Sequence, residues 1–339
     1  GQDSPMCSQR CRRTRWAALA AGVLIESAGG LFYIFGVYSS ELKRTPWGGG
    51  GGVNSTLTQN QLDAVVVASN IAGNLGTPAG FFYDRVGPSA TVLAGGTMGV
   101  LGWGLMWALL SPSTQRASPW PWWLLVVAAS LQGQAALITD LSVIPTVASN
   151  FPQHRGLGIG LSKAMVGISG SLATTVYLGF FCDSAPAIAP FLLAITVVVA
   201  CICTVGALPL SVRPAAEVKR LDAAPGAFAR TTRTFVVGFV LTTALLLLCL
   251  VGAVLDALIG EGSSTSDSSG PNRRLGGEQC PAFDARYRMG FALAAVALLL
   301  ALVATLALCR DRAAGDDDTV SRPRDQYFFA VDDSPFAYL

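Results

Sequence analysis

Long apolar stretches recur eight times along this chain, at 16–39, 61–83, 90–110, 122–148, 156–181, 187–211, 234–258 and 288–309. Each approaches or exceeds the roughly 20 residues that an α-helix needs to cross a hydrocarbon core of about 30 Å. Lipid offers no hydrogen-bond partner to an open backbone, so such stretches enter it as helices. The reading is an all-α, polytopic membrane protein with about eight spans. Composition agrees: 52% of residues are hydrophobic and 13% charged, with a mean hydropathy of +0.50, where a soluble domain carries about 25% charge. This leaves no room for a soluble catalytic domain. Lys and Arg number 23 against 21 Asp and Glu, a net +2, so charge matters by location, and no nucleic-acid partner is expected.

The segments between the stretches are polar. Pro46 and the glycines from Gly48 to Gly52 make an aqueous loop, and residues 213–233 form a basic, proline-containing hinge that separates six spans from two. Residues 259–287 read as a loop, and 310–339 as a tail without fixed structure. The basic residues Arg12, Arg13 and Arg15 precede the first apolar run, but that run is too long for a signal peptide and lacks a cleavage site. Gly1 followed by Pro5 does not fit a myristoylation signal. Cys7 and Cys11 beside the basic segment are candidates for palmitoylation. Lys and Arg concentrate on the side that holds the N-terminal segment, the hinge and the tail, which predicts both termini in the cytoplasm. Asn54-Ser55-Thr56 then lies outside as a glycosylation candidate at Asn54. Cys182 and Cys280 also fall outside, but the sequence sets no distance between them and no disulfide is expected. Plasma membrane and endomembrane are not distinguished.

Three stretches resemble the nodulin-like branch of the major facilitator superfamily. They are RWAALAAGVLIESAGGLFYIFGVYSSELK at 15–43, GNLGTPAGFFYDRVGP at 73–88 and NFPQHRGLGIGLSKAMVGISGS at 150–171. The resemblance covers roughly 15–212, with nothing recognised beyond 233. The apolar and polar pattern gives a domain order of cytoplasmic segment 1–15, six-helix bundle 16–212, cytoplasmic hinge 213–233, two-helix segment 234–309 with outer loop 259–287, and cytoplasmic tail 310–339; the resemblance bears on the bundle alone. The bundle would be half of a twelve-helix fold built from inverted three-helix repeats. Gly80, Asp84, Arg85 and Gly87 match the superfamily's gating loop, in which an Asp and an Arg form an ionic latch between helices. Pro88 and Ser89 replace its closing basic pair. A plain turn with solvated charges is the simpler alternative.

Charges inside spans are costly unless they face a cavity or a partner. Glu26 lies mid-span in the first stretch, Asp140 in the fourth and Lys163 in the fifth, while Asp256 sits near a span's end. If the first, fourth and fifth helices line a central cavity, Glu26, Asp140 and Lys163 converge there. A carboxylate in such a place can take up and release a proton, and Lys163 can hold an anion. Lys163 can instead snorkel to the headgroups. The resemblance places a Lys at Lys163 but an uncharged polar residue at Glu26. Asn70 and Asn74, four apart, share a helix face and suit either interhelical packing or a ligand. Tyr33 and Tyr38 suit the cavity or the interface. His154, the single histidine, reads as a solvated or capping residue and cannot form a metal site alone. No cofactor or metal is expected.

The leading functional expectation is a secondary transporter that moves a small polar or anionic solute by alternating access. Six helices plus two do not make two halves, so pairing into a homo-oligomer, an incomplete chain or loss of transport follows. The alternative is a non-transporting membrane scaffold whose tail, ending YFFAVDDSPFAYL, recruits partners. An enzyme is not expected, because no nucleophile and base set or HExxH motif occurs.

Overall fold

The structure, a computed structural model, describes residues 14–48, 56–111, 120–182, 188–263 and 285–309. Asn54, Cys7, Cys11, Cys280, the tail and the Asp256 side chain lie outside the described residues. Among those described, eleven α-helices form: α1 Arg15–Gly29, α2 Phe35–Arg44, α3 Gln59–Ala72, α4 Thr77–Val86, α5 Pro88–Leu110, α6 Trp123–Asn150, α7 Arg155–Phe180, α8 Ile188–Ala207, α9 Ala215–Asp222, α10 Ala227–Ser263 and α11 Ala285–Leu308. A 3₁₀ turn at Gly30–Ile34 joins α1 to α2 in one span. Seven helical segments are long and apolar enough to cross a membrane. The chain is therefore an all-α, multi-pass membrane protein.

Local sequence sets the helix ends. The Thr14 hydroxyl accepts from Ala17 N at 3.1 Å and caps α1. Thr58 and Gln61 form a reciprocal capping box at the start of α3. Gly87, at φ +80°, turns the chain between α4 and α5, and Pro88 opens α5 where no amide hydrogen is needed.

The stretch expected as one span at 61–83 is two helices, α3 and α4, with a break between Ala72 and Thr77. Pro78 cannot donate to the Asn74 carbonyl, and it disfavours helical geometry at Thr77. The exposed carbonyls are met by another helix: Gln134 Nε2 in α6 donates to Ala72 O at 2.6 Å and to Leu75 O at 3.4 Å. That approach requires Gly133, where a Cβ would stand 2.1 Å from Ser69 O. An irregular backbone at membrane depth persists only with such support.

The helix α1 is central, packing against α6, α7, α8 and α11. Its Leu19, Val23 and Ile25 are fully buried. Outer helices carry apolar faces away from the bundle, such as Val197 and Val205 on α8 and Val240 and Leu247 on α10, as lipid solvation requires. The last two helices are not an appendage: α10 and α11 pack on each other and on α7. Two further expectations are corrected. His154 is buried rather than solvated, bonded to Thr232 Oγ1 at 3.0 Å and flanked by Phe228 and Phe235, because α10 covers it. Cys182 is disulfide-bonded, where no disulfide was expected. Sequence spacing carries no information on sulfur separation.

Candidate functional site

Glu26, Asp140 and Lys163 come together from α1, α6 and α7. Lys163 Nζ donates to Asp140 Oδ1. Glu26 is 1% exposed, lies within hydrogen-bonding reach of Asp140 and within Coulombic reach of Lys163, and its Oε1 has no hydrogen-bond partner. Glu26 sits one turn before the helix tightens into the 3₁₀ turn at Gly30. Pro145, inside α6, removes a backbone bond one turn beyond Asp140. Two of the three charges thus ride on helices with local irregularity. With all three ionised the cluster carries one net negative charge in a poorly solvated place, which a proton or a bound cation would relieve. The ion pair is not sealed, since the Lys163 side chain is 48% exposed and that of Asp140 27%.

The same face of α7 leads onward. Lys163, Gly167, Gly170, Ser171, Thr174 and Leu178 follow helical spacing, and from Gly167 onward these residues line a cavity of about 690 Å³. Tyr33 of the 3₁₀ turn lines it too, with Leu246 and Leu250 of α10 and Arg288 and Phe291 of α11. Tyr38, by contrast, is buried against Phe35 and Trp103, away from this cavity.

The opposite end of the bundle is closed. Arg15, at the start of α1 and 3% exposed, donates to Asp222 Oδ1 of α9 at 2.6 Å. Its guanidinium lies 5.1 Å from the centre of the Phe151 ring. Phe151 packs edge to face with Trp16 and with Phe235, which meet each other at a tilt, with centroids 4.9 to 5.4 Å apart. Asn150 clasps the segment after α8, donating to Ser211 O and accepting from Arg213 N, both at 2.9 Å. The segment read as a polar hinge therefore closes one end of the helices.

Asn70 and Asn74 are exposed, and each bonds back to its own segment, at Val66 O and Asn70 O. They do not join the charged cluster. Asp84 and Arg85 are exposed at the end of α4 and form no salt bridge among the described residues. Gly80 lies on α4 and Gly87 in the turn that follows. The buried ion pair at this end joins Arg15 and Asp222; in the sequence Arg15 counted only toward the orientation of the chain, and Asp222 was not singled out. Arg288 was also missed. The available signal was a guanidinium at the mouth of an apolar helix on the side otherwise poor in basic residues. Among the described residues no group of three or more His, Cys, Asp or Glu stands together to hold a metal ion.

Comparison with known proteins supplies the family. A protein of Emericella nidulans named "Probable transporter mch1" is 30% identical over 132 residues, covering 37% of this chain and 22% of the relative. Its namesake from Aspergillus fumigatus is 31% identical over 137 residues, covering 37% and 21%. The match spans about a fifth of the length of these curated relatives. The Nodulin-like family profile matches residues 15–266, which reaches past the hinge into α10 and further than the resemblance read from motifs alone. This chain belongs to the Nodulin-like family.

Proposed function

We propose that this chain is the membrane-embedded part of a secondary transporter that moves a small polar or anionic solute by alternating access, with Glu26 and Asp140 as proton carriers. The observation that carries the reading is the unpartnered Glu26 carboxyl oxygen, buried beside a second carboxylate and a lysine. A structural ion pair needs one acid and one base. The additional buried acid has a role only if its charge changes, and intramembrane ionisable groups of this kind mark proton or ion relays. The transporter names of the fungal relatives support the same reading.

Lys163 pairs with Asp140 and stands beside Glu26, so loading of Glu26 changes the charge that the pair faces. Movement between states uses the weak points of the helices: the 3₁₀ turn after α1, the proline in α6 and the break between α3 and α4. The face carrying Asn70 and Asn74 is exposed, and further helices, from a second copy or the same polypeptide, complete the pathway there. Asp84 and Arg85 form their gating contacts with those helices.

The test is solute uptake into proteoliposomes under an imposed pH gradient. Wild type accumulates solute, Glu26→Gln and Asp140→Asn lose the dependence on the gradient, and Lys163→Met lowers flux at least tenfold. Wild-type flux equal to that of empty vesicles across a broad solute panel would reject the transporter and favour the non-transporting scaffold.

A further inference from the structure

We infer that the Arg15 end of the protein carries a binding surface for the headgroups of anionic phospholipids, formed by Lys219 and Arg220 of α9, Arg230 and Arg233 of α10 and Arg155 of α7. The inference does not depend on transport. It rests on the depth at which these cations stand, on the charge around them and on the ring that lies among them.

Depth follows from α10. Its Val237, Val240 and Leu247 are 41%, 61% and 53% exposed, and an apolar face of this kind on a membrane span is covered by hydrocarbon. Arg230 and Arg233 continue the same face, since Arg230, Arg233, Val237 and Val240 follow helical spacing. Arg233 stands about 6 Å beyond Val237 along the axis at 1.5 Å per residue, so its long side chain reaches the headgroup layer directly above those acyl chains. The turn 223–226, with Gly226 at φ +68°, brings α9 close to the start of α10. Arg230 Nη2 donates to Pro225 O across it at 3.0 Å. On α9, Val218 is buried against the bundle while Lys219 and Arg220 are exposed. Arg155 opens α7 next to His154, whose ring lies 4.5 Å from that of Phe228. Phe228 remains 61% exposed, and an exposed aromatic ring among cations is what interfacial helices present at the lipid boundary.

The described acids of this end are already engaged. Asp222 accepts from Arg15 and Glu217 from Arg213, each at 2.6 Å, and the exposed Asp84 is next in sequence to the equally exposed Arg85. Lys219, Arg220, Arg230, Arg233 and Arg155 are exposed and form no ion pair among the described residues. A single cation snorkels to any phosphate, that of a zwitterionic lipid included. Several around one corner sum to a positive field, which favours lipids of net negative charge. Asp222 ends the helix that carries Lys219 and Arg220, so lipid held by these two also holds α9 over the Arg15 end.

For the test, the full chain is placed in phosphatidylcholine nanodiscs, with or without phosphatidylserine at about a third of the lipid. Amide exchange of residues 215–233 and the phosphatidylserine retained by the protein on purification from mixed vesicles are measured. Phosphatidylserine should slow exchange over 215–226 by about fivefold at low ionic strength, and about 1 M salt should remove the effect, because the screening length is then about 3 Å. The combined variant Lys219→Gln, Arg220→Gln, Arg230→Gln and Arg233→Gln should lose the slowing and retain about threefold less phosphatidylserine, with exchange in α5 unchanged. Arg286→Gln, at the opposite end, should keep the slowing. Retention in the combined variant equal to wild type overturns the inference, and so does exchange in wild type that phosphatidylserine leaves unaltered. The same slowing by inorganic phosphate in pure phosphatidylcholine also overturns it, since the surface would then serve free anions. Slow exchange in pure phosphatidylcholine that is lost in the combined variant Asp316→Asn, Asp317→Asn and Asp318→Asn would assign the surface to the chain's own acidic segment and overturn the lipid site.

Discussion

The two ends of the bundle solve the same problem differently. At the Arg15 end, helices converge: an ion pair with side chains 3% and 8% exposed is wrapped by Trp16, Phe151 and Phe235, and α9 and Asn150 close the remaining space. At the Arg288 end an arginine of similar burial lines a cavity of about 690 Å³. One guanidinium pairs with Asp222, and the other lines the cavity. The comparison teaches that a buried guanidinium in this protein can join two helices at one end and border a cavity at the other. On the proposed transport reading, this structure is the state closed at the Arg15 end.

The comparison can be broken at either end. The largest effect is expected from Arg15→Ala, which strands Asp222 in a buried place. Loss of one partner of such a pair costs about 3–5 kcal/mol, measured as a fall in unfolding free energy in detergent. The charge-exchanged double variant Arg15→Asp with Asp222→Arg should recover part of that stability. No loss on Arg15→Ala would mean that the ring stack alone closes this end.

Gly133→Ala comes next. Its Cβ would collide with the Ser69 carbonyl, which is backbone and cannot swing aside, so a loss of about 1–3 kcal/mol from overpacking is expected, read by thermal unfolding. Gln134→Leu leaves the carbonyls of Ala72 and Leu75 without their side-chain donor. A cost of about 1–3 kcal/mol follows for the unsatisfied groups, with faster amide exchange confined to residues 70–78. A wild-type exchange pattern would show that the break between α3 and α4 supports itself. Arg286→Gln should be the smallest change, within about 0.5 kcal/mol, since this arginine is exposed beside the cavity-lining Arg288. A large effect there would erase the distinction between snorkelling and built-in cations.

Much of this architecture was legible in the residues. Apolar length gave the spans, and Pro78 with Gly73 and Gly76 contained the break that divides α3 from α4. The latter was read over, because hydropathy is indifferent to whether a backbone can stay helical. Glu26, Asp140 and Lys163 stood out because each charge contradicts its apolar surroundings. Arg15 and Arg288 did not, because each lies near a helix end, where a basic residue is ordinarily solvated.

By itself, the sequence determined that this chain dissolves in a bilayer as helices, since transfer of long apolar segments and internal pairing of the backbone are local, additive properties. Only the tertiary structure decided which charges meet. Burial of Arg15 depends on α9 folding back from more than 200 residues away. The cavity before Arg288 depends on how α11 crosses α7 at Gly179. Helix crossing is set by the shapes of two surfaces together, and neither surface is written in the segment that carries the charge.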